Sequence, residues 1–446
     1  MVDLTQVTSE PIDAPRFQAF GVRDLPAIGE RYPIHPDLLE AISVVAEVLP
    51  FRVNPYVLDH LIDWAAGPDD PIFQMVFPQP GMLDPNEFDE LRNLRAEAVR
   101  NPLAVDRKKA LVAEIRSSLN PQPDGQVEEN VPTHRGLPLR GVQHKYRSTV
   151  LSFPANGQTC HSYCTYCFRW AQFVGDRSLR FAASSATPLV EYLHDHPEVT
   201  EVLVTGGDPM VMSAERLRAH IAPLLEVPTI DTIRIGTKAL AYWPMRFTSD
   251  PDAAATLEFF SEIVSGGRSL AVMAHVTHPR ELATPEAATA VEAIRSTGAR
   301  LFGQAPLVAH VNDSADVWAD MWTAEHRLGL VPYYMFVERD TGPRDYFQVS
   351  LPTASEIFTA AYRSLPGLAR TVRGPVMSCT PGKVLIGGEL SLDGDDWLAL
   401  EFVQARCPEL VGRPFLARRR FDTYWADQLE LHPSTPTDIA SAIATA

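Results

Sequence analysis

Leu38, Leu39, Ile42, Val45 and Val48 recur at helical spacing after Pro36, which predicts an amphipathic helix closed by Pro50. A second helix is expected after Asn54-Pro55 and up to Trp64, with Asn54 as its cap and Pro55 in its first position. A Pro- and acid-rich loop follows over 68–85, then a charged helical stretch over 86–119, then a polar linker over 120–140. Residues 1–30 show no clear period and read as a partly ordered leader. Residues 1–140 are therefore expected to form a helical lobe with no visible chemistry of its own.

Beyond Gly141 the pattern alternates. Short apolar runs at 149–153, 201–205, 232–235, 270–275, 300–302 and 331–336 read as strands, and helical periods at 213–225, 285–297 and 317–328 lie between them. Strands separated by helices imply parallel βαβ units. About six units fit an α/β fold, a partial TIM-like (β/α)6 barrel spanning 141–347, in which functional residues gather at the C-terminal ends of the strands. Residues 348–446 are expected to be an extension of helix and Gly/Pro-rich loops that completes the site. Its basic run Arg418–Arg420 reads as a solvated face.

Composition narrows the function. A net charge of −17 over 446 residues argues against a general nucleic-acid or anionic-membrane binder. No apolar run reaches the length of a membrane span. Five cysteines, three of them close together, fit a reducing cytoplasm better than a disulfide scaffold.

Those three lie in Thr159–Trp170, TCHSYCTYCFRW, where Cys160, Cys164 and Cys167 have the spacing C-x3-C-x2-C. An iron–sulfur cage normally takes four thiolates, so three suggest a cluster with one iron open to another ligand. The alternatives are three buried thiols or part of a zinc site; the remaining cysteines, Cys379 and Cys407, stand apart and unpaired. With Tyr166 before the last cysteine, the stretch resembles the signature of the radical S-adenosylmethionine (SAM) superfamily. That resemblance implies a [4Fe-4S] cluster whose open iron binds SAM, and a 5′-deoxyadenosyl radical that abstracts hydrogen.

Further stretches narrow the resemblance: PFRVNPYVLDHLID, CHSYCTYCFR, VLVTGGDPMVMS, IRIGTKA, AHVTHPREL, GQAPLVAHVND and PYYMF. In this order, from about Pro50 to Lys383, they are similar to the lysine 2,3-aminomutase family. The similarity implies pyridoxal phosphate (PLP) in imine linkage with the substrate amine, radical abstraction of a β-hydrogen, and nitrogen migration. It implies that Gly206, Gly207 and Asp208 receive the SAM amino group, and that His275 and Gln304 lie near SAM. Arg169 matches the arginine that pairs with the substrate α-carboxylate, for which a guanidinium fork is suited. Lys383, in Thr380-Pro381-Gly382-Lys383, is the candidate Schiff-base lysine; a competing register puts Arg373 there.

Other family positions differ. The phosphate-binding arginine falls near Thr149, with Arg147 displaced by two. The carboxylates that hold the lysine side chain fall on Arg339, flanked by Glu338 and Asp340, and near Ser378. Ser314 occupies the place of an interface zinc cysteine. An arginine would repel a lysine ε-ammonium, so the expected substrate is an amino acid other than lysine, as in the glutamate 2,3-aminomutase branch. The resemblance also implies an electron donor such as flavodoxin or ferredoxin, and leaves a homo-oligomer open. Two alternatives stand beside it: a PLP-independent radical SAM enzyme on another small carboxylate, and a cluster-bearing redox protein without catalysis.

Overall fold

The computed structural model describes residues 17–122, 128–175 and 179–446. Of the expected leader, residues 1–16 lie outside the described residues, while Leu25–Arg31 forms the first helix, α1. Helix α2 follows at Pro36–Val45. Asn54 caps the next turn as its sequence context implies, accepting from the Val57 N–H at 3.2 Å. That turn is a single wide coil over Val57–Leu61, and Ile62 is already extended. Helix α3 is Pro71–Val76. The charged stretch forms two helices, Pro85–Ala98 (α4) and Pro102–Ser118 (α5), with Asn101 capping the second.

The polar linker carries a short hairpin, Thr133–His134 (β1) with Leu137–Pro138 (β2). Then comes one sheet of eleven strands in the order β13-β12-β11-β10-β9-β8-β7-β6-β5-β4-β3. Its parallel part starts at Thr149–Ser152 (β4) and continues through Glu201–Val204 (β5), Thr232–Thr237 (β6) and Ser269–His275 (β7). Arg300–Leu307 (β8), Val331–Val337 (β9) and Arg373–Cys379 (β10) complete it. Helices Thr187–Asp195 (α6), Ala214–Leu225 (α7), Ala253–Ser265 (α8), Pro285–Ser296 (α9), Ala315–Leu328 (α10) and Leu351–Ser364 (α11) connect these strands. This is a partial TIM-like α/β barrel. Val150, Val202, Val204, Ile233 and Ile235 pack into the core shared with the helices. Thr149, Glu201 and Arg234 meet on the other face, where Glu201 accepts from Thr149 at 3.2 Å and from Arg234 at 3.3 Å.

Antiparallel strands extend both edges. Val142–Tyr146 (β3) precedes β4, while Gly382–Leu392 (β11), Asp395–Ala405 (β12) and Pro414–Arg418 (β13) follow β10. The C-terminal extension is thus largely sheet and not the expected mixture of helix and loops. Asp393 and Gly394, both with positive φ, turn β11 into β12, as an Asp-Gly pair does in a tight hairpin. The sheet curls until its β3 edge reaches β10: Lys145 on β3 donates to the Cys379 carbonyl on β10. No helix among the described residues is long and apolar enough to cross a membrane.

Candidate active site

The cysteine loop leaves β4 and is held by the N-terminal lobe. Tyr163 N donates to Arg52 O at 2.8 Å, Thr165 N to Met75 O at 2.9 Å, and Thr165 Oγ1 to Gln74 O at 2.8 Å. Asn54 Nδ2, fully buried, reaches Ser162 Oγ at 3.0 Å and the Tyr242 carbonyl at 2.9 Å. Tyr166 and Trp170 join the apolar core of this lobe. The lobe therefore has a visible task, which is to fix the loop that carries the thiols.

All three thiols are free and partly buried. Burial pushes the Cys160 thiol well up, with Asp208 and the other two cysteines adding to it, and lifts Cys167 to about 12. Three mutually repelling thiolates need a compensating cationic centre, which an iron cluster provides. Among the described residues no group of three or more His, Cys, Asp or Glu is arranged to hold a metal ion. Such a close grouping suits a point ion such as zinc; a four-iron cube spreads its ligands over separate corners. Buried polar atoms without partners surround the loop, among them His161 Nδ1, Gln158 Oε1 and His275 Nε2. The donor set and these unpaired atoms fit a cluster with a polar ligand beside it.

The Gly206-Gly207-Asp208 loop lies against the cysteine loop. A Cβ on Gly206 would come within 2.3 Å of Gln158 Nε2, and one on Gly207 within 2.5 Å of the Thr159 backbone. The glycines are thus required by contact between the two loops themselves. Asp208 N donates to Gly157 O at 3.0 Å and Thr159 O at 2.7 Å. Its carboxylate takes Met210 N at 2.9 Å, Lys238 N at 2.8 Å and Thr237 Oγ1 at 2.7 and 2.9 Å. Burial nonetheless raises its pKa to about 6. Asp208 therefore ties its loop to the end of β6, and both of its oxygens are engaged.

His275 ends β7 directly opposite Gln304 on β8. Burial, reinforced by Lys238, holds His275 well below the ordinary histidine range, so its imidazole is neutral. The Tyr166 ring lies 6.1 Å from it, and the Tyr166 hydroxyl is 2.8 Å from Thr277 Oγ1. Two groups here have no role assigned from the sequence: Lys238, within the IRIGTKA stretch, which pairs with the fully buried Glu281 at 2.7 Å, and Tyr242, whose hydroxyl is 3.5 Å from Cys164 Sγ.

Arg169 is only 8% exposed, yet its Nε and Nη2 have no partner among the described residues. Its guanidinium lies 4.3 Å from the Phe153 ring centre. Burial lowers its pKa to about 10, partly offset by Cys167 and Cys160. Arg339, just beyond β9, has its guanidinium 5.8 and 5.6 Å from the ring centres of Phe168 and Trp425; its Nε is 3.9 Å from Asp340 Oδ1 and makes no hydrogen bond among the described residues. Its neighbour Glu338 is buried, which raises that carboxyl to about 8.

Lys383 occupies β11 opposite Ser378 on β10 and Gln404 on β12. Its amine donates to Gln404 Oε1 at 2.8 Å and lies 5.1 Å from the ring centres of both Tyr146 and Tyr334. Burial lowers its pKa to about 7, helped by Arg234, Lys145 and Arg373. Arg373, the rival of the other register, bonds the Tyr334 hydroxyl at 3.3 Å, so both residues reach the same ring. Arg234, Arg373 and Glu201 stand in the N-terminal halves of their strands, whereas the cysteine loop, Asp208 and His275 sit at C-terminal ends. Thr149 is committed to Glu201, and Arg147 is exposed. The cations left around Lys383 are Lys145, Arg234 and Arg373, a set that suits a phosphate. Ser314 precedes α10 as its N-cap and makes no side-chain capping bond.

No family model matches the chain. It is 29% identical over 383 residues to the Aquifex aeolicus protein named "Putative L-lysine 2,3-aminomutase", covering 86% of this chain and 88% of that one. It is 26% identical over 304 residues to the L-lysine 2,3-aminomutase of Acetoanaerobium sticklandii, covering 68% of this chain and 61% of that one. The glutamate 2,3-aminomutase of Clostridioides difficile matches at 26% over 198 residues, 44% of each chain. Along most of its length the chain is thus similar to proteins named as L-lysine 2,3-aminomutases.

Proposed function

We propose that the protein isomerises an amino acid other than lysine by a radical 2,3-amino shift. The observation that carries this reading is Arg169, a buried guanidinium beside the thiol loop with two donors unpaired. Such a group is costly unless an anion meets it, and a substrate α-carboxylate supplies one.

Cys160, Cys164 and Cys167 would hold the cluster. When bound, it supplies the electron for reductive SAM cleavage and hence the hydrogen-abstracting radical. Backbone around Gly206 and Gly207 would face the SAM amino group, while Asp208 shapes that loop. Neutral His275 and Gln304 offer polar atoms without charge, and Tyr166 closes the wall between the cysteines and β7. Arg169 clamps the carboxylate. Arg339, with Glu338 and Asp340 beside it, meets the far end of the substrate and repels an ammonium there. Lys383 would hold PLP, which when bound supplies a carbonyl able to condense with amines. An amine whose pKa is lowered to about 7 is substantially unprotonated at neutral pH, as a nucleophilic lysine must be. We assign residues 1–140 to a lobe that fixes the thiol loop, 141–347 to the barrel, and 348–446 to an extension that brings Lys383 and Trp425 to the site. The few, mostly clustered cysteines support a cytoplasmic protein, which a flavodoxin- or ferredoxin-type donor would serve.

A second reading, radical chemistry without PLP, is favoured by Thr149 where the family has its phosphate arginine. Both readings are tested by anaerobic reconstitution with iron, sulfide, SAM and dithionite. Deoxyadenosine should form, and its yield should rise with an acidic or polar amino acid but not with lysine. Lysine-dependent turnover would contradict the substrate assignment; PLP-independent turnover would favour the second reading.

A further inference from the structure

We propose that Tyr242 and Lys238 are positioning residues that set the reduction potential of the cluster through Cys164. The inference rests on the reading that Cys164 is a cluster ligand. The Tyr242 hydroxyl is 3.5 Å from Cys164 Sγ, and Tyr242 is 1% exposed. A ligating thiolate carries no proton, so in the loaded protein the hydroxyl is the donor of this contact.

Lys238 stands behind the tyrosine. Its Nζ lies 4.6 Å from the Tyr242 ring centre, 3.0 Å from Thr277 Oγ1 and 2.7 Å from Glu281 Oε1. Glu281 is fully buried and accepts from Thr277 N at 2.6 Å, which fixes the pair. The backbone N–H of Lys238 bonds Asp208, so the same residue also anchors the neighbouring loop. Asn54 holds the Tyr242 carbonyl at 2.9 Å, which ties the backbone carrying this tyrosine to the N-terminal lobe.

Burying an ion pair costs desolvation that an apolar pair of similar size would avoid. Placed here, it has an effect that an apolar pair lacks. Reduction adds negative charge to the cluster, and a hydrogen bond to a ligand sulfur favours the reduced form, as does a fixed cation nearby. The chain as a whole carries −17 and opposes that electron. Tyr242 and Lys238 offset the global field locally.

The test is a potentiometric titration, monitored by electron paramagnetic resonance, of the full-length reconstituted protein without substrate. Tyr242→Phe keeps the ring and removes the donor. Lys238→Met/Glu281→Met removes both charges together, so that no unpaired charge is left buried. With iron content equal to wild type, both midpoints should move to more negative potential, and Lys238→Arg should retain the wild-type value. A Tyr242→Phe midpoint unchanged at equal iron content overturns the proposal, as does loss of iron from that variant alone. Wild-type protein that binds no cluster would instead refute the reading on which it rests.

Discussion

The guanidinium of Arg169 lies over the ring of Phe153 at 4.3 Å, and Phe153 directly follows strand β4, where the chain turns toward the thiol loop. A cation stacked on an aromatic face and sealed from solvent keeps its N–H edges for a ligand.

Arg169→Lys keeps the charge and loses the fork. Hydrogen bonds to charged groups contribute about 1.5–3 kcal/mol each, so substrate affinity should fall about ten- to a hundredfold. SAM cleavage without substrate should persist, because the cysteines are untouched. Titration of substrate against deoxyadenosine yield checks this; unchanged affinity would remove Arg169 from the site.

Lys383 should be labelled when PLP-loaded protein is reduced with borohydride and its peptides are mapped by mass. Since its folded pKa is lowered to about 7, labelling should rise between about pH 6 and 8, far below the range of an ordinary lysine. Mass on another lysine, or on none, would favour the PLP-independent reading.

Glu325 on α10 is buried against Gly303 of β8, and its Oε2 has no partner among the described residues. Burial raises its pKa from 4.5 to about 8. The folded state therefore holds a proton that the unfolded chain gives up, and the stability so contributed is present below about pH 4.5 and lost as pH rises through about 8. Glu325→Gln should remove this dependence, so its melting temperature relative to wild type should climb between pH 5 and 8. A constant difference across that range would show that Glu325 is ionised in the fold.

Asn54→Ala breaks the contacts from the N-terminal lobe to Ser162 and Tyr242. Leaving buried groups unpaired costs about 1–3 kcal/mol. Lower thermal stability and faster loss of iron are expected together. Stability that falls with iron retention unchanged would separate the lobe from the site.

Much of this was legible in the chain. The runs at 149–153, 201–205 and 232–235 became β4, β5 and β6 because Val150, Val202, Val204, Ile233 and Ile235 line one face against the helices. The cysteine spacing needed no structure. The extension was misread because β11 mixes Gly387, Gly388 and Glu389 into a strand exposed along its outer half, although Asp393-Gly394 marked the hairpin. Asn54 was read correctly as a cap, but its bonds to residues 108 and 188 positions away have no local signature. Glu281 and Lys238 lie in the quoted stretches AHVTHPREL and IRIGTKA, but their pairing has no local signature, because they sit beyond the ends of different strands.

The most direct test of the account is iron analysis with electron paramagnetic resonance on reconstituted wild-type protein and Cys164→Ala. Wild type should carry one four-iron cluster whose reduced signal changes on adding SAM, and Cys164→Ala should lose both the iron and the signal. A cluster of unchanged stoichiometry in Cys164→Ala would contradict the assignment of these three thiols as its ligands.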